Sequence, residues 1–127
     1  YTIINDSYNA NFESTKLGIN NLSNISSSNR KIVVIGDMLE LGNKSIGYHK
    51  KIGSYLVKKK IDAVFAYGNY SKHIIKMMAK SKSLHNLYAD KNILIADLKK
   101  YLQKGDIVYI KGSRSMKMED VITGLQS

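Results

Sequence analysis

Apolar and polar residues alternate along this chain in blocks rather than one by one. Three runs, at 33–35, 64–66 and 107–110, are apolar throughout. Such runs predict strands buried on both faces. "TIIN" and "LHNLYA" are shorter strand candidates. Between them the period changes. "FESTKLGINNLSNI" sets Thr15, Gly18, Ile19, Leu22 and Ile25 on one helical face, with Asn11 at the N-cap position and Glu13 in the first turn. "IGYHKKIGSYLVKKK" turns Ile52, Tyr55 and Leu56 inward and gathers lysines at its C-terminal end, where the helix dipole favours them. "NYSKHIIKMMAKSK", "KNILIADLKKYLQ" (capped by Asp90) and "MKMEDVITGLQ" read as three further helices. "SSSNR" is a polar connection, and "DMLELGNKS" is a loop with a short helical turn.

Strands separated by helices predict an α/β fold: a Rossmann-like, open, mostly parallel sheet with helices on both faces. Residues 1–127 read as a single domain, without repeat, linker or low-complexity tract. The chain opens on strand-like "YTIIND" with no initiating Met, so it is expected to be a piece of a longer protein.

Charge changes this picture less than its size suggests. The formal net charge is +10, carried by 18 Lys and two Arg, Arg30 and Arg114. Nucleic-acid surfaces recruit Arg for its bidentate fork. Abundant Lys alongside Asn and Ile reads instead as a compositional bias, with lysines dispersed over solvated faces. A nucleic-acid partner is therefore not expected, and Arg114 gains interest through scarcity. The absence of Cys excludes disulfides, thiolate metal sites and a cysteine nucleophile. No apolar run reaches the roughly 18 residues of a membrane span, and no basic-then-apolar leader opens the chain. A cytoplasmic location is expected.

In a parallel sheet, all loops leaving the carboxyl ends of the strands share one edge, where ligands bind. The unusual residues collect there: "NDSYNAN" (5–11), "GDMLELG" (36–42), "YGNYS" (67–71) and "KGSRSMKME" (111–119). Asp6, Asp37 and Glu40 are expected to face Lys111 and Arg114 across this edge. Asp6 at a strand end suits either a ribose diol or a turn-stabilising role. "KGSR" between strand and helix suits a phosphate or carboxylate cradle at a helix N-terminus. The chain has neither a P-loop nor GxGxxG. His49, His73 and His85 lack metal-ligand spacing, and His49 and His73 read as partly exposed structural residues. Ser7 and Ser113 lack a nearby His–Asp arrangement, so nucleophilic catalysis is unsupported. A stand-alone nucleotide- or anion-binding module of flavodoxin-like type remains the alternative.

"NDSYNAN", "VVIGDMLELG" followed by His49, and "VYIKGSRSMKMEDVI" occur in that order at strand exits. Together they closely resemble the C-terminal domain of the Mur ligases, over essentially the whole chain. One departure is Phe12, where the family often has Pro. The resemblance implies ATP-dependent amide bond formation in bacterial peptidoglycan synthesis. "GDMLELG" and "KGSRSMKME" point to the member that joins D-Ala-D-Ala to UDP-N-acetylmuramoyl-tripeptide through an acyl phosphate. It further implies N-terminal and central domains, the central one holding the P-loop, Mg2+ and most of the ATP phosphates. This domain would close over ATP, with no catalytic residue or metal site of its own. Asp6, Tyr8, Asn9 and Asn11 would serve the nucleotide. Asp37, Glu40, Lys111, Ser113 and Arg114 would serve the incoming dipeptide.

Overall fold

The computed structural model describes residues 1–8 and 10–127; Asn9, expected on the nucleotide side, lies outside the described residues. Five strands, β1 (Thr2–Asp6), β2 (Lys31–Gly36), β3 (Ala63–Tyr67), β4 (Leu84–Tyr88) and β5 (Ile107–Lys111), form one all-parallel sheet in the order β1-β5-β2-β3-β4. Five helices connect or follow them: α1 (Phe12–Ser23), α2 (Ser45–Lys58), α3 (Lys72–Met77), α4 (Lys91–Tyr101) and α5 (Glu119–Leu125). The expected α/β architecture is the one observed.

Alternate residues of the central strands feed two cores. Val33, Ile35, Val64, Ala66 and Tyr109 pack under α1–α3 through Ile19, Leu22, Ile52, Leu56 and Ile74. Ile32, Val34, Phe65, Val108 and Ile110 pack under α4 and α5 through Leu94, Leu98, Val121 and Leu125. Burial on both faces accounts for the unbroken apolar runs. Asn11 caps α1 in a reciprocal capping box with Ser14, a fixed helix start in a chain without proline. At the amino edge, Arg30 clamps Asp106 with two hydrogen bonds of 3.0 and 2.7 Å.

Two helices differ from expectation. α3 is a turn and a half, shorter than its periodic pattern. The last helix does not start at Met116: a 3-10 turn spans Arg114–Met116, Lys117 adopts a left-handed conformation, and α5 begins at Glu119. Lys91 secures this corner, donating to the carbonyls of Met116 and Lys117 and to the Asp120 carboxylate.

The strand order explains where a ligand can lie. The connections from β1 and β2 cross the face of α1–α3, whereas α5 follows β5 onto the other face. β5, second in that order, therefore sits between two strands whose exits depart toward the opposite face. A crevice opens at its carboxyl end on either side.

Candidate functional site

On the β1 side of that end, the register places Asp6 beside Lys111. The Lys111 ammonium donates to Asp6 Oδ2 at 2.8 Å, and the Tyr109 hydroxyl donates to the same oxygen at 2.6 Å. Tyr109 and Lys111 are two residues apart, so the strand turns both to one face. Gly18 makes the arrangement feasible, because a methyl group there would overlap the Tyr109 hydroxyl. Burial and the Asp6 carboxylate push the Tyr109 pKa far above the usual phenol value, so the hydroxyl stays protonated as a donor. The Lys111 side chain is 3% exposed while that of Asp6 is 41% exposed. Asp6 Oδ1 makes no hydrogen bond to the described residues and fronts a cavity of about 260 Å³ shared with Tyr8, Ser14 and Asn21. A carboxylate oriented through one oxygen, with the other open, suits a ligand hydroxyl.

On the β2 side lies a larger cleft of about 700 Å³, lined by Ala10, Leu39, Glu40, Ser113, Arg114, Lys117 and Glu119. Ser113 builds its back wall. Its N–H donates to the Asp37 carbonyl at 3.1 Å, and its hydroxyl accepts from the Leu39 N–H at 2.7 Å. Gly36 and Gly112 let the two exit strands close around Met118, which a side chain at either position would strike. Arg114 is exposed and has no hydrogen bond or ion pair with described residues through its side chain. Two cations, Arg114 and Lys117, thus share the cleft with two carboxylates, Glu40 and Glu119. Glu40 holds a left-handed backbone conformation, φ 64°, strained for a residue with a Cβ.

The structure regroups the residues expected at this edge. Asp37 does not face the cleft as an open carboxylate. It is 4% exposed and accepts from the Tyr70 and Ser71 N–H groups (3.1 and 2.8 Å) and from the Ser71 hydroxyl (2.8 Å). It ties the β2 exit to the β3 exit. Lys111 is separated from Ser113 and Arg114 and turned into Asp6. Asn11 spends its side-chain oxygen on the α1 cap. "KGSR" leads into a three-residue 3-10 turn, so the expected cradle at a helix N-terminus is not formed. His49 is fully buried rather than partly exposed. Its Nδ1 lies 2.6 Å from the Ser45 carbonyl and its Nε2 accepts from the Met38 N–H at 3.0 Å. Those partners fix a neutral ring with the proton on Nδ1, and burial lowers its pKa below the ordinary value. His49 thereby pins the loop that presents Leu39 and Glu40.

Tyr109, Lys117 and Glu119 were not identified as site residues from the pattern. Tyr109 had a readable signal: a hydroxyl within an aliphatic strand, two positions before Lys111. Among the described residues, no group of three or more potential ligands is placed to hold a metal ion.

Comparison with known proteins adds an independent line. The model of the family described as "Mur ligase, glutamate ligase domain" matches residues 1–114. The UDP-N-acetylmuramoyl-tripeptide–D-alanyl-D-alanine ligase of Bacillus subtilis is 37% identical across 98% of this chain, which covers 28% of that protein. The ligase of the same description from Buchnera aphidicola (subsp. Baizongia pistaciae) is 41% identical across 98% of this chain and 26% of its own length. Among solved structures, MurF ligase from Thermotoga maritima in complex with ADP superposes with a TM-score of 0.82 at 29% identity, over 98% of this chain and 27% of that one. MurF from Acinetobacter baumannii shares the fold with a TM-score of 0.85 at 24% identity, over 97% of this chain and 27% of that one. The chain spans little more than a quarter of the length of these relatives.

Proposed function

The chain belongs to the Mur ligase family, in its glutamate ligase domain, and from that premise we propose that it is the C-terminal domain of a three-domain, ATP-dependent peptidoglycan-precursor ligase. The reaction is amide formation between D-Ala-D-Ala and UDP-N-acetylmuramoyl-tripeptide through an acyl phosphate. Relatives with 37% and 41% identity carry that ligase description. The observation that carries the reading is the pair of unlike crevices flanking the end of β5.

The Asp6 crevice suits the sugar of the nucleotide. Tyr109 and Lys111 hold Asp6 Oδ2, leaving Oδ1 to accept a ribose hydroxyl, with Tyr8 exposed beside it. Lys111 pairs with Asp6 and lines the same cavity, so its assignment moves from the dipeptide to the nucleotide side. ATP, when bound, supplies the phosphoryl group that activates the carboxylate. On this reading Mg2+ and most phosphate contacts belong to the central domain.

The charge-balanced cleft suits a zwitterion. Arg114 and Lys117 complement the dipeptide carboxylate, and Glu40 and Glu119 complement its ammonium. Ser113 and Asp37 act by positioning the loops that bear them. Closure of this domain would bring the two crevices against the reacting groups and exclude water.

Steady-state kinetics of the full-length enzyme test the division. Asp6→Asn is expected to raise KM for ATP with little change for the dipeptide. Arg114→Ala is expected to raise KM for the dipeptide and leave melting temperature and ATP KM near wild type. Wild-type dipeptide KM and turnover in Arg114→Ala would refute the assignment.

A further inference from the structure

The lysines are not dispersed. The helices on one face of the sheet with their flanking turns (residues 12–23, 42–60 and 71–83) carry eleven lysines against one carboxylate, Glu13. That excess equals the whole net charge of the chain. The opposite face, α4 and α5, mixes both signs. Among the described residues, none of the eleven lysines forms a salt bridge.

Apolar surface lies among these charges. A groove of about 410 Å³ crosses α1, α2 and α3, floored by Phe12, Tyr55 and Met77 and rimmed by Lys16, Lys51 and Lys58. Val57, Met77 and Leu17 are large, apolar and exposed on the same helices. Lysine stems covering an apolar floor with ammonium groups projecting above it are the chemistry of an interfacial membrane surface.

Other polyanions fit less well. The aromatic faces are already occupied: Phe12 stacks on Tyr48 at 4.8 Å, Lys16 and Lys51 lie over Phe12, and Lys16 and Lys59 lie over Tyr55. No free ring remains there as a stacking platform for single-stranded nucleic acid. The face has no Arg to read base edges; Arg30 is clamped to Asp106 and Arg114 lines the cleft. Protein interfaces, for their part, are depleted in Lys at their centres.

We propose that the α1–α2–α3 face docks on anionic phospholipid bilayers, seating the domain peripherally at a membrane surface. This does not depend on the ligase reading, since the surface lies away from the β5 crevices.

Sedimentation of the full chain with vesicles tests it. Phosphatidylcholine mixed with phosphatidylglycerol should take up the protein at low salt and release it at high salt, whereas phosphatidylcholine alone should not bind it. Neutralising Lys16, Lys51, Lys58 and Lys76 to Gln should weaken partitioning on the order of 1,000-fold at low salt, because each lysine near an anionic surface contributes independently. These side chains have no ion pair to lose, and only Lys16 and Lys51 give up exposed contacts with the Phe12, Tyr48 and Tyr55 rings, so circular dichroism melting should fall by no more than a few degrees. Met77→Ser should weaken uptake several-fold at unchanged charge. Neutralising Lys99, Lys100 and Lys104 on the other face should change little. Equal loss from that control, equal binding to uncharged vesicles, no uptake at all, or tighter retention by duplex DNA than by vesicles at matched salt would each overturn the proposal.

Discussion

Asp37 provides the sharpest test of how the edge is held together. Its carboxylate is 4% exposed and accepts three hydrogen bonds, at 3.1, 2.8 and 2.8 Å, all from Tyr70 and Ser71. Truncation in Asp37→Ala leaves those donors without an acceptor. Hydrogen bonds to a charged group are each worth about 1.5–3 kcal/mol. The sum is an upper bound, because the Ser71 hydroxyl can rotate and Tyr70 is partly exposed to water. A loss of about 3–5 kcal/mol follows, a large share of the ~5–15 kcal/mol typical of a domain. Gly68 supplies a second arm. It sits at φ +121°, and a Cβ there would lie 2.5 Å from the Asp37 carboxylate. Gly68→Ala therefore suffers both backbone strain and a clash, together about 2–4 kcal/mol. Only the clash depends on Asp37, so the double variant should be less destabilised than the sum of the singles by about 1–2 kcal/mol. Urea unfolding followed by circular dichroism measures all four corners of the cycle. A loss under about 1 kcal/mol for Asp37→Ala, or strict additivity, would refute the account.

Two other outcomes are expected. His49 is kept neutral by burial, so the unfolded chain takes up a proton near pH 6.5 that the folded one resists. Its contribution to stability is whole above that pH and declines as pH falls toward the lower folded value; His73 adds the same sign, and His49→Leu should flatten the slope in pH-dependent melting. Lys60 and Glu40 both hold left-handed backbones, at φ 55° and 64°. Lys60→Gly should gain about 0.5–1 kcal/mol and leave activity alone, whereas Glu40→Gly should gain similarly yet raise the dipeptide KM, measured by melting and kinetics side by side.

The sheet was legible because burial on two faces leaves unbroken apolar runs, and the Asn11 and Asp90 caps name their helices. The start of α5 was not. A left-handed Lys117 offers no signal, since glycine usually marks such a position. At the edge, the residue types were readable but their pairing was not. Asp6 meets Lys111 only because β5 inserts between β1 and β2, a strand order that local pattern does not encode. Asp37 looked like its neighbours Asp6 and Glu40; only the Ser71 corner from a different loop turns it into an internal acceptor. The lysines misled for the same reason. Spread along the chain, they converge because α1, α2 and α3 share a face.

One strand serves both crevices. Lys111 looks toward Asp6, and Ser113, two residues on, anchors the wall of the other cleft. A ligand that shifts the end of β5 on one side must alter the free energy of binding on the other. Such coupling is reciprocal: on the proposed assignment, whatever factor a nucleotide contributes to dipeptide affinity, the dipeptide would return to the nucleotide. Order of addition would then be a matter of rates, while at equilibrium each occupancy reports on the other.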